Sequence, residues 1–182
     1  MMQRLRGAVL GSPVTHSLSP LLHSQAFEFL GIEGSYGRHE VSDVDLSKFF
    51  TERSDVFDYL SLTMPLKEIT LTLPVAVDTT ANRIQSANTL YRRQENWHLT
   101  STDGSGFIAA LKHAGYEKFE RVLVLGAGGT ARAVVGALDG LAQEISVFGR
   151  TSTRREVLQS AVTQSTFDYL RWSDSPGFSE YD

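Results

Sequence analysis

A glycine-rich turn between an apolar strand and a helix is the feature that most limits what this chain can fold into. Residues 121–125 read RVLVL, which is apolar after its first residue, as in strands buried in a parallel sheet. They lead directly into GAGGTA at 126–131. The pattern then predicts a small apolar helix over 132–141 and another strand over 144–148. The succession of strand, glycine turn, helix and strand indicates the βαβ unit of an α/β domain.

The glycine turn fits the G-x-G-x-x-G/A pattern of a dinucleotide-binding loop. Gly126 permits the tight turn, Gly128 lets a pyrophosphate approach the backbone, and Ala131 lets the helix pack close to the strand. The free N–H groups at the helix start would then bind the phosphates. The candidate cofactor-binding residues of this loop are Gly126, Ala127, Gly128, Gly129, Thr130 and Ala131. The alternative is an ordinary strand-to-helix turn of another doubly wound protein.

The residues at the end of the second strand of this unit indicate which dinucleotide is bound. An NAD enzyme usually carries Asp or Glu about 20 residues beyond the glycines, where it bonds the ribose 2′-OH. This chain has Gly149, Arg150 and Thr151 there, with Arg154 and Arg155 close by. A guanidinium pairs bidentately with a 2′-phosphate, so the predicted cofactor is NADP. The alternative is that these arginines are the solvated start of a helix, which fits Arg155 best.

Composition argues against several other kinds of site. The chain has 182 residues, 41% of them hydrophobic and 21% charged, as in an ordinary globular protein. Its net charge of −4 argues against nucleic acid as a partner. It has no cysteine, and its five histidines lack HExxH-type spacing, so no metal site is predicted. No segment has the roughly 20 apolar residues of a membrane span, and the N-terminal apolar run is too short for a signal peptide, so we expect a cytoplasmic protein.

The first hundred residues alternate between strand and helix patterns, which indicates an α/β domain. Strands are predicted over 6–10, 36–41, 58–63, 87–92 and 97–100, the last two as a hairpin. Helices are predicted from an N-cap at Ser19 to Gly31, over 46–53 and over 106–114. The predicted organisation is a first domain at 1–104 and a Rossmann-type nucleotide-binding domain at 105–182, incomplete at its C-terminus.

Small polar residues fall at the predicted strand ends and helix starts, where α/β domains present ligand-binding groups. They are Ser17, Ser19, Thr63, Lys67, Asn88, Thr102 and Asp103. Each alone has a routine interpretation as a cap, a turn residue or a solvated lysine. As a set of hydroxyls, one amide, one ammonium and one carboxylate, they suit a ligand with several hydroxyls and a carboxylate.

Five motifs, in this order, resemble the shikimate dehydrogenase family. They are SLSP at 17–20, TMPLK at 63–67, SANTL at 86–90, TDG at 102–104 and GAGGTAR at 126–132. The set extends over nearly the whole chain and is highly specific, although each motif alone is not. The resemblance implies reversible, NADP-dependent reduction of 3-dehydroshikimate to shikimate in aromatic amino-acid (chorismate) biosynthesis. The first domain, 1–104, would then bind shikimate.

The resemblance also implies roles for the substrate-binding residues. Ser17 and Ser19 would hold the substrate carboxylate. Thr63, Asn88 and Asp103 would contact the ring hydroxyls.

Lys67 and Asp103 would form the catalytic pair. Hydride addition to a carbonyl leaves negative charge developing on oxygen, and a positioned ammonium stabilises that charge and supplies a proton. The carboxylate would orient the lysine and bond the adjacent hydroxyl.

For the cofactor, the resemblance places Thr130 and Arg132 beside the phosphates. It places Arg150, Thr151 and Arg154 at the adenosine phosphate, in agreement with the preference for NADP.

Three positions depart from the family pattern: Ser61, Ser101 and Gly149 stand where the family usually has asparagine. Serine replaces an asparagine hydrogen bond only in part, so weaker binding is expected. Gly149 removes a side chain at the adenine end, which keeps NAD open as an alternative cofactor.

Length is the larger departure, because the family carries more Rossmann strands and a returning C-terminal helix. Half of a Rossmann sheet would expose apolar strand faces and an unpaired edge. The chain is therefore expected to be a fragment or to associate, with a homodimer as the simplest assembly. The alternatives are a quinate/shikimate dehydrogenase that uses NAD, a truncated paralogue that binds ligand without catalysis, and an α/β binding module with fortuitous motifs.

Overall fold

The computed structural model describes residues 4–173, 179 and 181, and the chain divides into two compact units. The first unit contains Met1–Asp78 and Ala87–Thr100, and the second contains Thr79–Ser86 and Ser101–Asp182. The division differs from the expected boundary after residue 104. Both 79–86 and 101–104 group with the second unit, so Asp103 lies there rather than in the first.

In the described residues, the first unit is built on a six-stranded mixed sheet with the order β2-β1-β3-β5-β6-β4. The strands are β1 (Leu5–Gly11), β2 (Gly34–Glu40), β3 (Tyr59–Leu62), β4 (Ala76–Val77), β5 (Thr89–Arg93) and β6 (Asn96–Thr100). β1 runs parallel to both of its neighbours, whereas β5 runs antiparallel to β3 and to β6. The carboxyl ends of β1 and β3 and the start of β5 therefore meet at one edge of the sheet.

The described helices of the first unit are α1 (Ser19–Leu30), α2 (Leu46–Arg53) and the single turn α3 (Leu66–Ile69). Gly31 ends α1 in the left-handed conformation, with φ 64°, as predicted. The predicted N-cap at Ser19 is wrong, because Leu18 occupies that position and Ser19 is the first helical residue. The Ser19 hydroxyl instead pairs with the neighbouring Ser17 side chain.

The predicted hairpin is β5 and β6, joined by Gln94 and Glu95. Both turn residues have positive φ, 50° and 66°, which matches the right-handed twist of the two strands. Asn96, which precedes the predicted strand over 97–100, is the first residue of β6.

The second unit, as described, contains a parallel sheet of three strands in the order β7-β8-β9. The strands are β7 (Phe119–Leu125), β8 (Ala142–Gly149) and β9 (Thr166–Arg171). The helices are α4 (Thr79–Ile84), α5 (Asp103–His113), α6 (Gly129–Leu138) and α7 (Arg155–Ser160). α6 begins and ends three residues before its predicted bounds. Gly128 is its N-cap, and Gly140, with φ 82°, lies in the turn that leads into β8.

α4 is one of the elements that the sequence patterns did not predict, and buried contacts connect it to the rest of the second unit. Ile84 is fully buried in the same apolar cluster as Val135 and Ile145. The Arg83 guanidinium donates to the carbonyl oxygen of Gly136 at 2.9 Å and also to that of Ala161. These bonds explain why α4 groups with residues that follow it by fifty positions or more.

Asp139 is a second residue whose buried side chain bonds the backbone of this unit, and it is 3% exposed. Its carboxylate accepts hydrogen bonds from the backbone N–H groups of Thr163, Gln164 and Ser165 at 2.8–2.9 Å, and lies 3.8 Å from the Arg83 guanidinium. Burial raises the pKa of Asp139, but the hydrogen bonds outweigh burial and hold this pKa at about 2.

Replacing this buried carboxylate should destabilise the second unit and change its acid sensitivity. The folded pKa lies below the ordinary value of 3.8, so the stabilisation is complete above about pH 5 and is lost as the pH falls toward 2. Its size is about 2 kcal/mol, from a shift of nearly two units. We expect Asp139→Asn to lower the free energy of unfolding at pH 7 and to flatten its pH dependence between pH 5 and 2.

Urea denaturation followed by circular dichroism at several pH values would measure both effects. The control is Glu117→Gln, which changes an exposed carboxylate of the same unit. Equal pH profiles for Asp139→Asn and the unchanged chain would contradict the assignment.

None of the helices in the described ranges is long and apolar enough to span a lipid bilayer.

Candidate functional site

The predicted polar residues of the first unit lie at one edge of its sheet. Ser17 and Ser19 follow β1, Thr63 and Lys67 follow β3, and Asn88 directly precedes β5. All five side chains are half-buried. Their placement agrees with the rule that α/β domains bind ligands beyond the carboxyl ends of their parallel strands.

Backbone hydrogen bonds hold the β3 and β5 parts of this edge together. The N–H of Leu62 donates to the Asn88 carbonyl at 2.8 Å, and the N–H of Ala87 donates to the Lys67 carbonyl at 2.8 Å. The N–H of Thr63 donates to the Leu10 carbonyl at 2.9 Å, which ties the same segment to β1. The hydroxyl, ammonium and amide groups therefore project from segments whose backbones are fixed to one another.

The two serines interact with each other at the start of α1. The Ser17 hydroxyl donates to Ser19 Oγ at 3.2 Å, and the Ser19 N–H donates to Ser17 Oγ at 3.3 Å. A pair of adjacent hydroxyls next to backbone N–H groups can donate to the two oxygens of a carboxylate.

Tyr36, which the sequence patterns assigned only to a strand, lies within β2 and reaches the polar residues through its hydroxyl. Its hydroxyl donates to Ser61 Oγ at 2.7 Å. Burial raises the pKa of Tyr36, against the smaller opposing effect of hydrogen bonds with Ser61 and Ser19, so the phenol stays protonated at neutral pH. The signal in the sequence was a tyrosine within a strand, since a buried phenol usually needs a polar partner.

His23 and Tyr59 complete the polar aromatic cluster around Tyr36. The His23 ring stacks on Tyr36 with ring centroids 3.9 Å apart, and its Nδ1 is 2.8 Å from the Tyr59 hydroxyl. Burial lowers the pKa of His23 and raises that of Tyr59. The cluster is therefore uncharged at neutral pH, and the hydrogen bond between Tyr36 and Ser19 connects it to the serine pair.

In the second unit, the glycine turn has the conformation that the sequence predicted. Gly126 has φ 106°, which favours glycine, and its N–H donates to the Phe148 carbonyl at 2.9 Å. Gly128 is the N-cap of α6, and among the described residues no side chain caps this helix start. No described heavy atom beyond its chain neighbours lies within 4 Å of the position that a Cβ of Gly128 would take. The start of α6 is thus open to the approach of a phosphate at Gly128.

The arginine segment after β8 lies next to this loop. Leu125 is the register partner of Phe148, so β7 and β8 end side by side. Arg154 Nη1 donates to the Ala127 carbonyl at 3.4 Å, whereas Arg150 and Thr151 are exposed. Two arginines and one threonine therefore follow the end of β8, within reach of the glycine loop through Arg154.

Arg132, which the resemblance places beside the cofactor phosphates, is a buried residue in the first turn of α6. The residue is 7% exposed, and its Nη1 donates to the Gln85 carbonyl at 2.9 Å. It therefore holds the end of α4, where Gln85 has φ 51°. Lys67 and Asp103, the predicted catalytic pair, lie in different units, Lys67 in α3 and Asp103 as the first residue of α5.

Within the described residues no cluster of three or more His, Asp or Glu is placed to hold a metal ion.

Comparison with known proteins connects both units to one family. Residues 9–90 match the family model of the shikimate dehydrogenase substrate binding domain. The shikimate dehydrogenase (NADP(+)) of Thermus thermophilus is 42% identical over 150 residues, which are 82% of this chain and 57% of that protein. The chain therefore spans little more than half the length of this relative.

Solved structures of shikimate dehydrogenases are also similar to this chain. The Thermus thermophilus shikimate 5-dehydrogenase, in complex with shikimate, has a TM-score of 0.81 at 39% identity, over 90% of this chain and 62% of that one. The Listeria monocytogenes enzyme, in complex with shikimate and NAD, has a TM-score of 0.83 at 26% identity, over 94% and 62%. The predicted fold class, an N-terminal α/β domain followed by a Rossmann-type domain, is confirmed. The resemblance that the ordered motifs predicted is also confirmed, because this chain is similar to shikimate dehydrogenases over most of its length.

Proposed function

We propose that this chain provides the shikimate-binding and NADP-binding parts of a shikimate dehydrogenase. The enzyme would reversibly reduce 3-dehydroshikimate to shikimate with NADPH in the biosynthesis of aromatic amino acids. The observation that carries the proposal is the half-buried set of polar groups at one edge of the first sheet. The first unit would be the substrate domain and the second the cofactor domain, with Asp103 contributed by the second.

Shikimate carries one carboxylate and three hydroxyls on a six-membered ring, and the polar edge offers matching groups. Ser17 and Ser19 would donate to the carboxylate, and Thr63 and Asn88 would bond the ring hydroxyls. Half-burial supports this role, because a hydrogen bond is stronger where water is partly excluded.

In the reaction, bound NADPH would supply the hydride that adds to the carbonyl carbon of 3-dehydroshikimate. Lys67 would stabilise the negative charge developing on the carbonyl oxygen and donate the proton from Nζ. Asp103 would orient that ammonium and accept a hydrogen bond from the neighbouring ring hydroxyl. In the direction of shikimate oxidation, Lys67 would take the proton back.

The proposed cofactor is supported by the residues of the second unit. The N–H groups at the start of α6 would bind the pyrophosphate through residues 126–131. Arg150, Thr151 and Arg154 would bind the adenosine 2′-phosphate, and no acid stands at the end of β8 to bond a free ribose hydroxyl.

Removing the proposed proton donor tests the catalytic assignment. We expect Lys67→Ala to lower kcat for shikimate oxidation by ~10²–10⁴-fold, with a smaller effect on KM, because the lysine acts mainly on the reacting oxygen. Steady-state NADPH absorbance assays of the purified chain would measure both constants. Lys48→Ala, at an exposed lysine of α2, is the control. A kcat near that of the unchanged chain in Lys67→Ala would refute the role of Lys67.

Removing one arginine tests the cofactor assignment. We expect Arg150→Ala to raise the Kd for NADP+ by about 10- to 100-fold, the loss of a charge-assisted hydrogen bond, while the Kd for NAD+ changes little. Calorimetric titration with each dinucleotide would show the difference. The matched control is Arg155→Ala, at the exposed first residue of α7. Equal losses for NADP+ and NAD+ would argue against a 2′-phosphate site at Arg150.

A homodimer is the simplest proposed assembly. In the described structure α1 contributes no buried residue, and it leaves Leu21, Leu22 and Phe29 exposed by 60%, 65% and 89%. Apolar side chains so exposed favour association. Sedimentation velocity should give twice the chain mass of 20.1 kDa, and a species of single mass at micromolar concentration would contradict the proposal.

A further inference from the structure

The hydroxyl of Tyr169, in β9, forms a hydrogen bond with the segment that follows β8, residues 150–154. The residue is 7% exposed, and its ring packs in the apolar cluster beneath α6 and α7. Its hydroxyl donates to the carbonyl oxygen of Thr151 at 2.6 Å. A tyrosine buried among apolar side chains therefore has its one polar atom bonded to the backbone between Arg150 and Ser152.

Only a glycine at position 149 leaves room for the Tyr169 hydroxyl. A Cβ at position 149 would lie 1.9 Å from the Tyr169 hydroxyl oxygen and 2.7 Å from Cζ of its ring, both shorter than any real contact. The hydroxyl thus occupies the space that a side chain at 149 would need. The end of β9 is also fixed here, since the Trp172 N–H donates to the Gly149 carbonyl at 3.1 Å.

The segment that Tyr169 reaches is the one proposed to bind the adenosine 2′-phosphate. Arg150 and Thr151 are exposed, and Arg154 donates to the Ala127 carbonyl of the glycine loop at 3.4 Å. The Thr151 hydroxyl lies 3.0 Å from that of Thr153, within the same segment. The hydrogen bond from Tyr169 to the Thr151 carbonyl fixes the backbone that carries Arg150 and Thr151.

We propose that Tyr169 is a positioning residue for the 2′-phosphate, and that its hydroxyl and Gly149 form a matched pair. The inference rests on the proposed function, because it assumes that Arg150 and Thr151 bind NADP. Holding a binding segment in its bound conformation lowers the entropy lost on binding. Tyr169 would therefore raise affinity for nucleotides that carry the 2′-phosphate and leave affinity for those without it nearly unchanged.

Equilibrium binding of four probes to the purified chain tests this. Two carry the 2′-phosphate, NADP+ and adenosine 2′,5′-bisphosphate, and two lack it, NAD+ and adenosine 5′-monophosphate. We expect Tyr169→Phe, which keeps the ring, to raise the Kd of the first two by about three- to tenfold, as for loss of one neutral hydrogen bond. The Kd of the other two should stay within twofold. Tyr116→Phe, at an exposed tyrosine of the same unit, is the control.

Gly149→Ala tests the same pair by changing the glycine and leaving the tyrosine intact. Tyr169 is intact in this variant, but the added Cβ displaces its hydroxyl from Thr151, so the same selective loss is expected. Gly106→Ala is the control, because a Cβ there meets no described atom within 4 Å. If Tyr169→Phe does not fold, as judged by circular dichroism, the result with Gly149→Ala decides the question.

A double-mutant cycle separates positioning from general damage to the fold. If Tyr169 acts through the arginine segment, Tyr169→Phe should add little to the Kd for NADP+ once Arg150→Ala has been made. Additive losses, or equal losses for NADP+ and NAD+, would overturn the positioning role. If the unchanged chain binds neither dinucleotide, the proposed function fails and the inference with it. If it binds NADP+ and both variants bind equally well, only the inference fails.

Discussion

Parallel strands that end together at one edge of a sheet are the constraint on which both candidate sites depend. Because β1 and β3 run in the same direction, the segments that follow them emerge side by side, and bonds such as Leu62 to Asn88 bring the start of β5 to the same edge. In the second unit, β7 and β8 end in register, so the glycine loop lies next to Arg150. Polar groups distant in sequence become neighbours through backbone pairing, with no need for long side chains to reach one another.

Buried polar anchors hold the irregular segments of the second unit in place. Arg83 donates to the Gly136 carbonyl in the last turn of α6, and Arg132 donates to the Gln85 carbonyl just after α4. Asp139 accepts from three consecutive N–H groups before β9. Backbone groups buried without partners would cost free energy, so these side chains satisfy atoms that the helices and strands leave unpaired. Tyr169 does the same for Thr151. In each case one side chain fixes the course of a connecting segment.

Most elements were predictable from local pattern, since apolar periodicity and turn residues report directly on strands and helices. α2 and the hairpin of β5 and β6 lie where their patterns placed them, within a few residues. α4 was missed because its six residues show too short a pattern, and tertiary contacts of Arg83 and Ile84 stabilise it instead. Ser19 satisfied the local rule for an N-cap, but the helix begins one residue earlier, so its hydroxyl pairs with Ser17.

Residue types and their spacing along the chain were sufficient to predict the α/β class, the glycine loop and the polar residues. The sequence also carried the likeness to the shikimate dehydrogenases, which rests on ordered motifs. Only the tertiary structure decided that Asp103 groups with the second unit, that the Arg132 guanidinium is bonded to Gln85, and that the Tyr169 hydroxyl fills the space beside Gly149. Each of these depends on which buried atoms meet after folding, and contacts between positions twenty or more residues apart leave no periodic signal in the chain.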